Sequence, residues 1–392
     1  MVAKWSLEFA TVVGDRTIER FDADVGRLTK YIGKTGALDA AIPIPNADVG
    51  KRASAVFGGE GRLAMYAYRD QALWWGGFVD TTRISGGRSG AQLDVSGASF
   101  EAYPDRRMAR STGALTNREQ LDIGKFLWDE MQANGLGASI QVETPQHAPS
   151  GRRRDFSWKP SDVRTYGSLL KEVSNRADGF EWIIDLWDDG FNRHRSLHMG
   201  YPQIGRPARP YVLTYPGQII EYEIEGDVLD GANSFQARGK APDPIGVAGT
   251  PGGGGSASIK QDPIMSSVFQ DDGLLRAGHA RIDAVIERDT VTQVSTLNDW
   301  AKLARDTRSG PLVLPEITCR LDGFDQSILG SELLIRISDY PFPAGPEGAP
   351  GYEGLARVIG YEVDPGEQGA DDIGRLIFEN PYDLDHMRKD PN

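Results

Sequence analysis

His194 and His198 stand four residues apart, the spacing at which a helix presents two imidazoles to one metal ion. The residues between them are Arg, Ser and Leu, so the glutamate that serves as general base in a metallopeptidase helix is missing. The run Arg193–Met199 instead reads as the second strand of a hairpin, and residues four apart on a strand lie about 13 Å apart along its axis. Two half-exposed histidines are expected here, and no metal site. Glu221, Glu223 and Glu225 form a second candidate. They alternate with Ile220, Tyr222 and Ile224, which makes one strand face acidic and the other apolar. Carboxylates on that face step by about 6.8 Å. An inverting glycosidase separates its two carboxyl groups by about 6.5–9.5 Å, so distance alone does not disqualify them. Three like charges in a row are expensive to bury, however, and a solvated or channel-facing row is the stronger reading.

Arg152, Arg153 and Arg154 precede Phe156 and Trp158, combining cations for phosphates with rings for base stacking. The whole chain argues the other way. It has 43 Lys+Arg against 56 Asp+Glu, a net charge of −13, which repels polyanions. The three arginines are expected to dock an acidic neighbour or to cap a subunit contact. Gly252–Gly255 lacks the Gly-Lys-Ser/Thr ending of a phosphate loop and reads as a solvated linker. Gly87-Arg-Ser-Gly90 lacks the GxSxG spacing of a nucleophile elbow. Cys319, the single cysteine, alternates with Ile317 and Leu321, so a buried, inert thiol is expected and an intrachain disulfide is impossible. No catalytic constellation and no cofactor site emerges. For a long, well-patterned chain this favours a structural or assembly role.

The elements that must position these residues follow from periodicity. Glycine is 47 of 392 residues, about 12%, spread as turns between short strands. Residues 1–103 read as strand after strand, with hairpins at Leu63–Tyr68/Leu73–Trp75 and across Ser85–Gly90. Trp74 and Trp75 must then point to opposite faces. A small antiparallel barrel or sandwich suits such density. Thr116-Asn-Arg-Glu119 reads as a capping box for a helix carrying Leu121, Phe126, Leu127, Trp128 and Met131, stopped at Asn134-Gly135. A second helix is expected from near Ser161, with Val163, Tyr166, Leu169, Leu170 and Val173 on its buried stripe. A hairpin then runs from Phe180 to Met199. A strand at Ile220–Glu225 turns at Gly226-Asp227 into another through Phe235 and Ala237. A third helix begins at Thr296 and buries Leu297, Trp300 and Ala301. The finish is β again: Glu316–Leu321, Glu332–Ile337, Leu355–Val363 and Arg375–Phe378. His386–Asn392 reads as a frayed tail. The N-terminal run is strand-like and no stretch of about 18 apolar residues occurs, so neither a signal peptide nor a membrane span is expected.

In this order and spacing the chain resembles the tail hub proteins of long-tailed bacteriophages, particularly the minor tail proteins of phages of actinobacteria. The resemblance covers nearly the full length. Its anchors are Phe180-Glu-Trp182, LHMGYPQIG at Leu197–Gly205, Pro216–Gly239, the helix Leu297–Ala304, Gly330–Ile337 and Arg357–Val363. It implies a β-rich α+β protein of two small antiparallel β-barrel-like domains and two α+β domains, the second barrel split by an insertion. Mapped here, that is 1–103, 104–210, 211–245 with 311–385, an inserted 246–310 holding the glycine loop, and a tail at 386–392. It also implies a homotrimer ring in the virion tail tip, made in the host cytoplasm. The ring would sit between the distal tail or tail tube protein ring and a spike or fibre, holding the C-terminus of the tape-measure protein and later passing DNA. On that reading Glu221, Glu223 and Glu225 line the channel, and no enzyme activity or cofactor is expected. Many hubs carry a C-terminal peptidase or receptor-binding extension; this chain stops at Asn392 after its last strand block, which leaves those tasks to other proteins. A phage-derived cell-wall hydrolase, a carbohydrate-binding adhesin and the hub of a contractile injection system are the competing readings.

Overall fold

The computed structural model describes residues 4–88, 90–176, 178–205, 211–227, 232–242, 245–247, 257–259, 261–288, 291–309, 312–321, 324–364 and 372–379. The expected loop at Gly252–Ser256 and the tail at His386–Asn392 lie outside the described residues. The chain forms two compact units, one from residues up to 223 together with 316–379, the other from 224–315. The chain passes between them within the strands Ile219–Asp227 and Leu312–Arg320. No helix among the described residues is long and apolar enough to cross a membrane.

The larger unit is built on antiparallel strands. Thr17–Asp22, Trp5–Thr11, Leu63–Arg69 and Ala72–Phe78 form a four-stranded sheet in that order. The hairpin between its last two strands turns through Asp70 and Gln71, both at positive φ, as a right-twisted two-residue turn requires. Trp74 and Trp75 do point to opposite faces, yet both are buried. Trp74 meets Trp5 and Tyr361 edge-on, and Trp75 Nε1 donates to the Thr29 carbonyl at 3.1 Å. This strand is therefore covered on both sides.

Among the described residues no sheet closes into a barrel, which corrects the two barrel-like domains that the resemblance implied. The reason lies in one strand. Asp24–Tyr31 pairs with Ala37–Ile44 on one edge and, on the other, with the thirteen-residue strand Tyr352–Asp364. That long strand pairs with Glu332–Ile337 over its first half and with Ile373–Phe378 over its second. The edge that could have closed the first block on itself is thus spent on a partner more than 300 residues away. The result is an open sheet of ten strands. Where it lies against the four-stranded sheet the backbones nearly touch. A Cβ on Gly97 would stand 1.8 Å from the Phe78 carbonyl oxygen, so only glycine fits there.

Local starts and stops differ from the sequence reading in instructive ways. Residues 1–103 contain a helix, Ala47–Val56, capped by Asn46, whose side chain accepts from the Val49 amide. Thr116 opens no helix. Residues Gly113–Glu119 pair with Arg153–Trp158, and the helix Gln120–Ala133 starts only after them. Glu119 is its cap, accepting from the Leu121 and Asp122 amides. Strand pairing outcompeted the box. The second helix runs Tyr166–Ser174 from a Thr165 cap, which leaves Val163 exposed at positive φ rather than on a buried stripe. Phe126, expected inward, is partly exposed and leans on Trp158. These helices and the hairpin Glu181–Asp188/Arg193–Gly200 share one core with the four-stranded sheet, centred on Tyr66, Phe78, Phe100, Trp128 and Trp182.

The smaller unit is an α+β layer. Ser234–Gly239 pairs in parallel with Asp283–Arg288 and antiparallel with Phe269–Gln270. The turn expected at Gly226-Asp227 is absent, because the preceding strand continues to Asp227 beside Leu312–Arg320. The helix Val294–Arg308 buries Leu297, Trp300, Ala301 and Ala304, as its spacing predicts, and Arg288 lies over the Trp300 ring at 4.2 Å. It begins two residues before Thr296, at Val294, with Gln293 as its cap position and no side-chain capping bond.

Candidate assembly surfaces

His194 sits on a strand, as its alternation predicts, and each of its ring nitrogens faces a carboxylate. Nδ1 lies 3.0 Å from Glu143 Oε1 and Nε2 lies 3.0 Å from Asp189 Oδ2. Hydrogen bonds to Asp189 and Glu143 raise its pKa, and the same bond to His194, with the Asn192 and Phe191 amides, holds Asp189 down at about 2. The ring stacks on Trp187 at 5.0 Å. His198 bonds separately to Asp185 at 2.9 Å. The two histidines therefore serve different carboxylates. Their job here is to tie a hairpin and its turn together.

The arginine run divides its duties. Arg152 Nε donates to the Tyr201 hydroxyl at 3.0 Å and its guanidinium pairs with Asp178 at 3.1 Å; the Tyr201 bond and the Asp178 charge raise its pKa. Arg154 donates to Gln120 Oε1 and to the Asp178 carbonyl, and burial followed by the charge of Arg176 lowers its pKa. Arg153 is exposed and donates to the Asn117 carbonyl at 2.8 Å. All three thus bind within the chain, Arg152 and Arg154 through side-chain partners and Arg153 through a backbone carbonyl, none of which alternation could reveal.

Glu221, Glu223 and Glu225 are exposed and Tyr222 and Ile224 are half-buried, so the acidic face is the wetter one, although Ile220, expected on the apolar face, is exposed as well. The strand is the last in the order of the ten-stranded sheet. Behind the carboxylates, Tyr222 meets Tyr215 edge-on at 5.0 Å and donates to Asp339 Oδ2 at 3.0 Å. Cys319 is buried, and burial pushes its thiol up to about 12, which leaves it protonated and inert at neutral pH. The structure brings none of the named candidates together into one constellation: histidines, arginines and glutamates each have their own neighbours.

Residues of another kind are placed by the fold and were not singled out by pattern. Lys30 and Glu101 are both buried, with Nζ 3.8 Å from Oε1. Each also bonds the same residue of the hairpin: Lys30 donates to the Ile184 carbonyl at 2.8 Å and Glu101 accepts from the Ile184 amide at 3.0 Å. Arg195, equally buried, donates to the Tyr66 hydroxyl at 2.7 Å, to Asp15 Oδ1 at 2.6 Å, and to the carbonyls of Val12 and Ile140. Arg357 joins Glu181 and Glu379. These charges fix the hairpin Glu181–Gly200 to the sheets. A lysine or arginine in an alternating strand is a signal in principle, since the inward face should be apolar, but it cannot name its partner.

No known family profile and no curated protein matches the sequence. Solved structures do match in fold. A tail protein from Neisseria meningitidis MC58 superposes with a TM-score of 0.58 at 12% identity, over 98% of this chain and 99% of its own. The 43 kDa tail protein of prophage MuSo2 from Shewanella oneidensis gives 0.56 at 12%, over 96% and 99%. The prophage tail protein gp18 from Listeria monocytogenes EGD-e gives 0.51 at 13%, over 95% and 94%. At such identities the likeness is one of fold, and it extends from end to end of each chain.

Proposed function

We propose that this chain is a structural protein of a phage tail tip, a hub subunit whose homotrimer forms a ring. The ring joins the sixfold tail tube above to a threefold spike or fibre below. Its lumen first holds the end of the tape-measure protein and later passes DNA. A closed ring follows from one repeated interface whose rotation closes on itself. One observation carries the reading: tail proteins, one of them from a prophage, share this fold over nearly the entire length of both chains. A shared insertion or single domain would have supported much less.

The role is architectural, with no chemistry assigned to any residue. Glu221, Glu223 and Glu225 face the channel in this reading, where an acidic wall keeps DNA phosphates from being trapped. Arg153, with donors to spare, faces a neighbouring subunit. The protein is made in the host cytoplasm and carried in the virion.

The test is an image of the native particle together with the native mass of the purified chain. A trimer on the tail axis is expected. A subunit away from that axis overturns the proposal. Zymography separates the competing hydrolase: lysis zones lost in Glu221→Gln would sink the architectural reading.

A further inference from the structure

The turn at Val12-Val13, the Phe78–Tyr103 ring pair and the loop after helix Gln120–Ala133 surround a cleft of about 420 Å³. Its floor is apolar: Val12, Phe78, Tyr103 and Ile140. The two rings stack with centroids 5.7 Å apart. The floor is also held in place from behind. Arg195 donates to the carbonyls of Val12 and Ile140, and the Tyr103 hydroxyl donates to the Ala138 carbonyl at 2.6 Å. Arg107 ties the loop down further, donating to the Tyr103 hydroxyl at 2.7 Å and the Asn134 carbonyl at 2.9 Å. A cleft fixed in this way costs little to order when something enters it.

At its mouth Val13, a lining residue, is more than half exposed, so an apolar side chain stands in water at the lip. The lining holds two arginines and no carboxylate, on a chain of net charge −13. Arg106 is paired with Asp80 at 2.7 and 2.8 Å and lies over the Phe78 ring. Arg62 lines the cleft and is exposed, and among the described residues no side-chain hydrogen bond or ion pair engages it. An apolar slot beside an unspent guanidinium suits a large apolar side chain next to a carboxylate. Aromatic anchors in a pocket with a charged rim are how protein interfaces concentrate their affinity.

We infer that this cleft is a docking site for an extended acidic segment of a different protein, which seats an aromatic or leucine side chain on Val12, Phe78, Tyr103 and Ile140 and pairs a carboxylate with Arg62. A twofold contact of this cleft with its copy is disfavoured by charge, because it would set Arg62 against a second Arg62.

The probe is a fluorescein-labelled peptide of alternating aspartate and tyrosine, titrated with the full chain and read by anisotropy. Saturable binding is expected. It should weaken at least about tenfold when the tyrosines become alanine, when the aspartates become lysine, and in the Arg62→Glu protein. Val13→Glu, in an exposed turn that lines the cleft, gives the same loss by a second route. Thermal melts of both variants should match the unaltered protein. No saturation up to about 1 mM peptide overturns the inference. So does equal affinity for the lysine peptide, or unchanged binding by both variants. Self-association of the chain that disappears in Arg62→Glu would make a second copy the occupant and overturn it as well.

Discussion

The hairpin Glu181–Gly200 and the strand Ile219–Asp227 are both alternating, charge-bearing β segments, and they use charge in opposite ways. Near the hairpin the charges are inside: Arg195, Lys30 with Glu101, and Arg357 are buried or nearly so, each bonded to several groups. Along the strand, Glu221, Glu223 and Glu225 face solvent. A buried charge left without its partner is costly, so the first set dictates where layers sit. A solvated charge contributes little to folding and stays available to whatever passes or docks.

The largest expected break in this contrast is Arg195→Met. It takes the buried donor from the Val12 and Ile140 carbonyls and leaves Asp15 with Arg193 as its arginine partner, and urea denaturation should show a loss of about 3–5 kcal/mol. A loss below about 1 kcal/mol would mean the buried set does not anchor the fold. Lys30→Met should fall in the same range, since the Ile184 carbonyl and Glu101 both lose a partner. Gly97→Ala probes the sheet contact without touching charge; the added methyl meets backbone, and overpacking should cost about 1–3 kcal/mol or more by thermal melt.

The histidines sharpen the comparison through pH. His194 has a raised pKa because of Asp189 and then Glu143, so its contribution is complete below the unfolded value of about 6.5 and fades as pH rises through the folded one. His147 is shifted the other way by burial, and accepts from the Met199 amide at 3.0 Å. Its neutral form is the folded one, so stability falls as pH drops through about 6.5. NMR titration of the two ring C–H signals should bracket the ordinary value; coincident midpoints would refute the assignment. The smallest effect is expected from Glu221→Gln, Glu223→Gln and Glu225→Gln together. Stability should shift by no more than about 0.5 kcal/mol per site, while in assembled particles at low salt DNA exit should slow.

Much of the local structure was legible. Alternation located the strand Glu332–Ile337 with both its ends, and helical spacing identified Trp128, Trp300 and Leu170 as core. The hairpin that carries His194 and His198 was readable for the same reason. Ends of helices were less so, because a capping box at Thr116 competes with strand pairing that depends on Arg153–Trp158, more than thirty residues away. The helix Ala47–Val56 went unseen among strands because it buries just Ala53 and Val56, too few for a visible stripe.

Sequence alone determined the alternation of many strands, where most helices lie, and that the chain is acidic and rich in turns. Side-chain periodicity carries that information residue by residue. Tertiary structure alone decided that Asp24–Tyr31 pairs with Tyr352–Asp364, that Lys30 meets Glu101, and that Arg62 borders an apolar cleft. Backbone donors and acceptors are the same in every strand, so a pattern of period two names the face a strand buries but not the neighbour it chooses. That choice depends on how the whole chain satisfies its hydrogen bonds at once.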